Sequence, residues 1–190
     1  LKLNDDYRAQ MFRYTNSFKE ARFLRAYFYF NLVRAYGDVP YFTEMVTTDQ
    51  VNSLTRTPAQ EIFNAIIAEC DKLSTELPAD YTKLGLDGIA PAENGRVTCY
   101  AALALKARAA LYAASPLFNP ENNKDLWRRA AEANKEVIET CTANGFKLSK
   151  YSELWGPNNW SNNEMIFVRR YNGNISTLEE YNFPMGVPGG

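Results

Sequence analysis

Apolar positions along this chain recur mostly every three or four residues, which is the spacing of a helix face. In the mixed stretch 1–16, Tyr7, Met11 and Phe12 fall at that spacing, and Asp5 or Asp6 is placed to cap a short helix. Ser17 and Glu20 form an S-x-x-E capping box, which predicts a second, stronger helix from Phe18 to Tyr36. Gly37 suits the left-handed residue that closes such a helix. Within it, Ala26-Tyr27-Phe28-Tyr29-Phe30 is apolar on every face, the pattern of a helix surrounded by protein. Gly37-Asp38-Val39-Pro40 reads as a turn: Pro40 fixes the exit, and Asp38 is suited to bond its own backbone.

After a polar connection, Thr57-Pro58-Ala59-Gln60 gives the next start signal, with Thr57 as N-cap, Pro58 first in the helix and Gln60 two residues on. Ile62, Phe63, Ile66, Ile67, Cys70, Leu73 and Leu77 carry the apolar stripe up to Leu77-Pro78. Residues 79–96 read as loop. A third helix is predicted from about Thr98 to Ser115. Eight alanines and two charges between positions 101 and 114 mark it as sandwiched between other helices, because small side chains let axes approach. A fourth is predicted from about Leu126 to Thr142, with Trp127, Ala130, Ala131, Asn134, Val137, Ile138 and Cys141 on one stripe and Asn144-Gly145 as its stop. Beyond it the composition turns to Asn, Ser, Trp and Gly, and Met165-Ile166-Phe167-Val168 reads as a short strand. The fold class is mainly all-α: tetratricopeptide-like helical hairpins with long loops and a short β element near 164–169. A helical core of about 17–142 is expected, followed by a loop-rich region over 146–190.

Composition narrows the chemistry. The 190 residues hold 21 Lys plus Arg against 22 Asp plus Glu, and this near-balance argues against nucleic acid as the main partner. The absence of histidine removes His-based triads, general bases and metal ligands. Cys70, Cys99 and Cys141 are far apart without C-x-x-C spacing, so neither a zinc knuckle nor a disulfide-dense scaffold is expected. No cofactor or metal is expected. No apolar stretch reaches 18 residues without charges, so no transmembrane helix is predicted. No signal peptide or lipidation site stands out. The opening at Leu1 and the close at Gly189-Gly190 read as an excerpt of a longer protein.

Three stretches carry more than periodicity. Glu20-Ala21-Arg22-Phe23-Leu24-Arg25-Ala26-Tyr27-Phe28-Tyr29-Phe30-Asn31-Leu32-Val33-Arg34-Ala35-Tyr36-Gly37-Asp38-Val39-Pro40 closely resembles the signature segment of the SusD/RagB family. Gly95-Arg96-Val97-Thr98, then Ala101 to Arg108, then Tyr112-Ala113-Ala114-Ser115-Pro116-Leu117-Phe118-Asn119-Pro120 is similar to a second family segment. Asn163-Glu164-Met165-Ile166-Phe167 resembles a third, in the family's order. The resemblance implies an α-helical, surface-exposed outer-membrane lipoprotein of Bacteroidetes. Such a protein sits as a lid on a SusC-like TonB-dependent transporter and binds glycans or other nutrients for import. The lipid-bearing cysteine of the family is not among Cys70, Cys99 and Cys141, so the anchor is expected outside this chain.

The residues themselves point to binding rather than catalysis. Arg22, Arg25 and Tyr29 share one helical face and are read as scaffold that fixes neighbouring loops. Cys99 would sit in a first helical turn, where the dipole can activate a thiol, but a small packed residue is the preferred reading. Glu61, Glu69, Glu93, Glu153, Asp125 and Glu164 are available for glycoside hydrolysis, yet none sits in a motif that demands a facing pair. Sugar capture needs flat aromatic faces beside amides and charged donors, carried on loops. Trp160, within Pro157-Asn158-Asn159-Trp160-Ser161-Asn162-Asn163, is the best candidate, with Tyr171, Tyr181, Asn159 and Arg169 as further ligand-binding candidates. Trp155 and Trp127 are read as core. The competing reading is a tetratricopeptide-type protein-interaction scaffold without carbohydrate binding.

Overall fold

The computed structural model describes residues 5–81, 95–154 and 162–168. Among these, the helices in order are α1 (Asp5–Tyr36), α2 (Thr48–Val51), α3 (Ala59–Glu76), α4 (Cys99–Ala114), α5 (Lys124–Ala143) and α6 (Tyr151–Leu154). The chain is mainly helical, as predicted. α1 packs on α3, α3 on α4, and α4 on α5. Neighbours run antiparallel. Lys19 of α1 donates to the Glu76 carbonyl at the far end of α3 (2.9 Å), and Gln60 at the start of α3 donates to the Ala113 carbonyl at the end of α4 (2.7 Å). No described helix is long and apolar enough to cross a membrane.

The core is built from one stripe of each helix. Phe23, Phe30 and Val33 of α1 meet Ile62, Phe63, Ile66 and Leu73 of α3, all essentially excluded from solvent. Phe30 presents its ring to Tyr112 (5.2 Å between centroids) and Phe63 to Phe118 (5.0 Å). Burial of each such side chain contributes about 1.5–3 kcal/mol. The alanines of α4 are buried nearly throughout, and the helix is wedged between α3 and α5. Its lysine, Lys106, spans both flanks, reaching Asp71 of α3 (2.6 Å) and Glu136 of α5 (2.8 Å).

Four local expectations are corrected. Ser17 does not start a helix: α1 runs unbroken from Asp5, and the Ser17 hydroxyl donates back to the Arg13 carbonyl. No Gly or Pro interrupts 5–36, and extending an existing helix adds a hydrogen bond for each residue fixed, whereas a second start needs a new nucleus. Thr57 is not the N-cap of α3. Its amide joins the Val39 carbonyl in an isolated bridge (2.9 Å), Pro58 holds the cap position, and the Ala59 amide is bonded by Asp38 (2.7 Å). Residues 162–168 form turns and bends rather than a strand, because no strand among the described residues pairs with them and Ile166 packs onto the helical core instead. On α5, Ala133 is buried while Ala131 and Ile138 face outward. That helix packs chiefly on α4 and reaches α3 through the Arg129–Asn64 hydrogen bond (2.7 Å), so its buried stripe is narrow. The helix stops behave as predicted: Gly37 (φ +71°) and Gly145 (φ +86°) both take left-handed conformations.

Candidate ligand-binding surface

Trp160, Asn159, Arg169, Tyr171 and Tyr181 lie outside the described residues, as does Trp155. The described stretch beside them, 162–168, is pinned to the helical body. The Ser149 hydroxyl donates to Asn162 Oδ1 (2.6 Å), and the Ser149 amide donates to the Glu164 carboxylate (2.8 Å). Phe167 meets Phe23 of α1 edge-on (5.5 Å, 81°).

That edge contact borders a cavity of about 230 Å3 between α1 and α4. Tyr27 and Phe167 supply aromatic walls, Leu105 and Ile166 the apolar remainder, and Arg108 a guanidinium. Arg108 is exposed and makes no ion pair among the described residues. Rings beside a forked donor suit a single polar ring unit: apolar C–H faces lie on the aromatics, and hydroxyl or anionic oxygens meet the guanidinium. This juxtaposition was not legible in the sequence. It draws on three separate segments, with Tyr27 hidden in an all-apolar run and Phe167 in an apparent strand. The signal that could have found it is Arg108 itself, one of only two charges in the alanine-rich run 101–114.

A second, wider groove of about 1110 Å3 runs along the outer face of α1. Leu24, Phe28, Leu32 and Tyr36 line it from the helix, and Phe42 and Leu54 from the following connection. Phe28 is 64% exposed and Tyr36 74%. The expectation that α1 is enclosed by protein is therefore corrected: its buried apolar stripe of Phe23, Ala26, Phe30 and Val33, flanked by Lys19 and Arg22, faces α3 and α4, and the Phe28 and Tyr36 side stays open. Arg25 and Tyr29 border this groove and hold its edge. The Arg25 guanidinium donates to the Thr43 carbonyl (2.9 Å), and the Tyr29 hydroxyl donates to the Phe42 carbonyl and accepts from the Phe42 amide (both 3.1 Å). Arg22 turns to α3, bonding Glu69 (2.7 Å) and Glu76 (2.6 Å). These side chains fix a loop and a helix, which is the scaffold role read for them.

No carboxylate among the described residues lines either cavity. Glu69 is committed to Arg22, Asp125 to Arg128 (2.7 Å), and Glu164 to the Ser149 amide. Arg22 holds the Glu69 carboxyl below its ordinary value, against the opposing effect of burial. Burial pushes the Cys99 thiol up, so the helix start does not activate it. No cluster of metal-ligating side chains occurs among the described residues.

Comparison with known proteins identifies this helical scaffold. Residues 2–111 match the SusD-like family described as starch-binding and associating with the outer membrane. The chain belongs to the SusD-like family. It is 25% identical over 149 residues to SusD-like protein P25 of Formosa agariphila, an alignment covering 78% of this chain and 24% of that protein. It is 27% identical over 162 residues to SusD-like protein P2 of the same organism, covering 83% and 28%. The chain thus spans about a quarter of the length of these curated SusD-like relatives. Among solved structures, a SusD-like protein from Bacteroides fragilis superposes with a TM-score of 0.63 at 28% identity, over 83% of this chain and 27% of the other. A SusD-like carbohydrate-binding protein from the same species also gives 0.63, at 29% identity over 80% and 26%. The SusD-like family is one of carbohydrate-binding proteins associated with the outer membrane, and its all-α architecture is the one found here.

Proposed function

We propose that this protein captures a glycan or another nutrient at the bacterial surface and delivers it to a SusC-like TonB-dependent transporter, without catalysis. A lipid anchor outside the 190 residues would hold it to the outer membrane. Family membership over residues 2–111 is the observation that carries this reading. The likeness to a carbohydrate-binding SusD-like structure supports it further. In this reading the helical core of about 17–142 is a pedestal, and the loop-rich region of 146–190 displays the capturing side chains. Trp160, with Asn159, Arg169, Tyr171 and Tyr181, is proposed to stack on and hydrogen-bond the ligand. Micromolar to millimolar affinity, about 4–8 kcal/mol, suits a protein that must release its cargo.

Affinity electrophoresis of the full-length protein through a panel of polysaccharides tests the reading. Retardation by one glycan class, weakened about tenfold or more in Trp160→Ala, is expected. No retardation by any glycan would overturn glycan capture, and unchanged retardation in Trp160→Ala would overturn the loop assignment.

The wide apolar groove on α1 favours a second reading, a protein-interaction scaffold. Phe28→Asp separates the two. A protein partner lost on this change, with no polysaccharide binding in the parent protein, would establish the scaffold reading in place of capture.

A further inference from the structure

α4 and α5 form an antiparallel hairpin whose register is fixed by two contacts. Lys106 reaches Glu136 (2.8 Å), and Asn134 donates to the Ala107 carbonyl (3.4 Å). Cys99 lies seven residues before Lys106, and Cys141 seven after Asn134, so each returns to the same helical face two turns on. Carried along that register, Cys99 falls within a residue or two of a position directly across from Cys141, at the open end of the hairpin. Their neighbours are in contact there: the rings of Tyr100 and Phe146 are 4.9 Å apart, and the Phe146 amide donates to the Cys141 carbonyl (3.0 Å). Both thiols are free, Cys141 buried and Cys99 half-buried. Cys99 also lies within electrostatic reach of the Cys141 thiol. Cys70 is excluded from the pairing. It lies fully buried on α3, where the Lys106–Asp71 contact puts it opposite position 107, about 12 Å along α4 from Cys99.

We propose that Cys99 and Cys141 are a dithiol pair that a disulfide-bearing thiol oxidant converts into an intramolecular disulfide stapling the open end of the α4–α5 hairpin. The Cys99 thiolate, the more accessible of the two, attacks one sulfur of the oxidant disulfide and releases the other as a thiol, leaving a mixed disulfide on Cys99. The Cys141 thiolate then attacks the Cys99 sulfur and expels the second oxidant thiol. The two cysteine thiols lose two electrons and two protons, and the oxidant disulfide becomes two thiols. Burial raises both cysteine thiols above their ordinary value, so the exchange accelerates as pH rises.

The test equilibrates the folded, reduced full-length protein with glutathione buffers of graded ratio. Acid quench, alkylation in denaturant, digestion without reductant and mass spectrometry follow. A cross-linked species joining the Cys99 and Cys141 peptides, two hydrogens lighter than their sum, is expected, with Cys70 recovered alkylated. Cys141→Ser should stop at a glutathione adduct on Cys99. The oxidised protein should melt at higher temperature than the reduced one, and Cys99→Ser should erase that difference. Recovery of Cys99 and Cys141 as separate alkyl or glutathione adducts at every ratio would overturn the proposal. So would a cross-link that appears only when oxidation is done in denaturant.

Discussion

Glu20 and Arg96 meet through two parallel hydrogen bonds of 2.7 Å each, across 76 residues of sequence. Tyr81 joins them, its hydroxyl placed on Glu20 (3.1 Å) and on the Val97 carbonyl (2.8 Å), with the Arg96 guanidinium over its ring (5.6 Å). The carboxylate that resembled half of a capping box is instead the anchor tying the middle of α1 to the entry of α4. Glu20→Ala should destabilise the protein by about 1–3 kcal/mol, the range for a partly buried charged hydrogen-bond pair that loses one member. Urea denaturation checks the size. Adding Arg96→Ala to Glu20→Ala should cost much less than Arg96→Ala alone; additive losses would show that the pair is not coupled.

Asp38 and Ala59 present the same logic at a helix start. Asp38 leaves the turn that ends α1 and bonds the first free amide of α3 at 2.7 Å. Pro58, in the cap position, has no side-chain acceptor to offer. Asp38→Ala should lower stability by about 1 kcal/mol, and Asp38→Asn by less, because the amide oxygen still accepts. Thermal melts of the two variants give the comparison, and equal losses would mean that the acceptor at 38 does not cap the helix.

These two pairs show what periodicity reveals and what it hides. The stripe Ile62, Phe63, Ile66, Cys70, Leu73 and the alanine face of α4 were readable because burial imposes a period of 3.6 on residue type. Helix ends were readable where glycine must supply a left-handed residue, at Gly37 and Gly145. The start at Thr98, the N-cap of α4, was readable too, but two other starts were not, since Ser17 and Thr57 carry the composition of caps while distant groups decide whether a cap is needed. Asn119 was missed for a related reason. It is buried and stitches the α4–α5 connection, donating to the Ala114 and Asn123 carbonyls (3.3 and 3.1 Å) and accepting from the Asn123 amide (2.8 Å). An asparagine in a loop looks the same whether it is solvated or structural. Of the candidate site, only the flanking anchors Asn162 and Glu164 fall within the described residues. The Tyr27, Phe167 and Arg108 cavity escaped a linear reading because its walls are 81 and 59 residues apart along the chain.

Acid should weaken the α1–α3 contact through Glu69. Arg22 favours the ionised carboxylate chiefly by hydrogen bonding, so the folded carboxyl titrates below its ordinary value of 4.5. A depressed folded value means that the pair stabilises the fold fully above the unfolded value and stops doing so as pH falls through the folded one. Urea midpoints should therefore hold steady from neutral pH down to about the unfolded carboxyl value and then decline. Glu69→Gln should lower the neutral-pH midpoint and flatten that decline. A decline of unchanged steepness in Glu69→Gln would assign it to other carboxylates.

Neighbouring positions on α4 should respond in opposite ways to a change of size. Ala109 is fully buried where the helix is wedged between α3 and α5, whereas Leu111, two residues on, is 45% exposed. Ala109→Leu adds three carbons at a side chain with no solvent exposure. It should cost about 1–3 kcal/mol, or more if α3 and α5 cannot separate. Leu111→Ala removes the same three carbons from a surface that keeps its solvent, and should change stability by about 0.5 kcal/mol or less. If helix propensity rather than packing governed α4, both substitutions would be nearly silent, because Ala and Leu are both strong helix formers. Paired urea titrations read the difference directly, and a near-neutral Ala109→Leu would mean that α4 is not held in place by its small side chains.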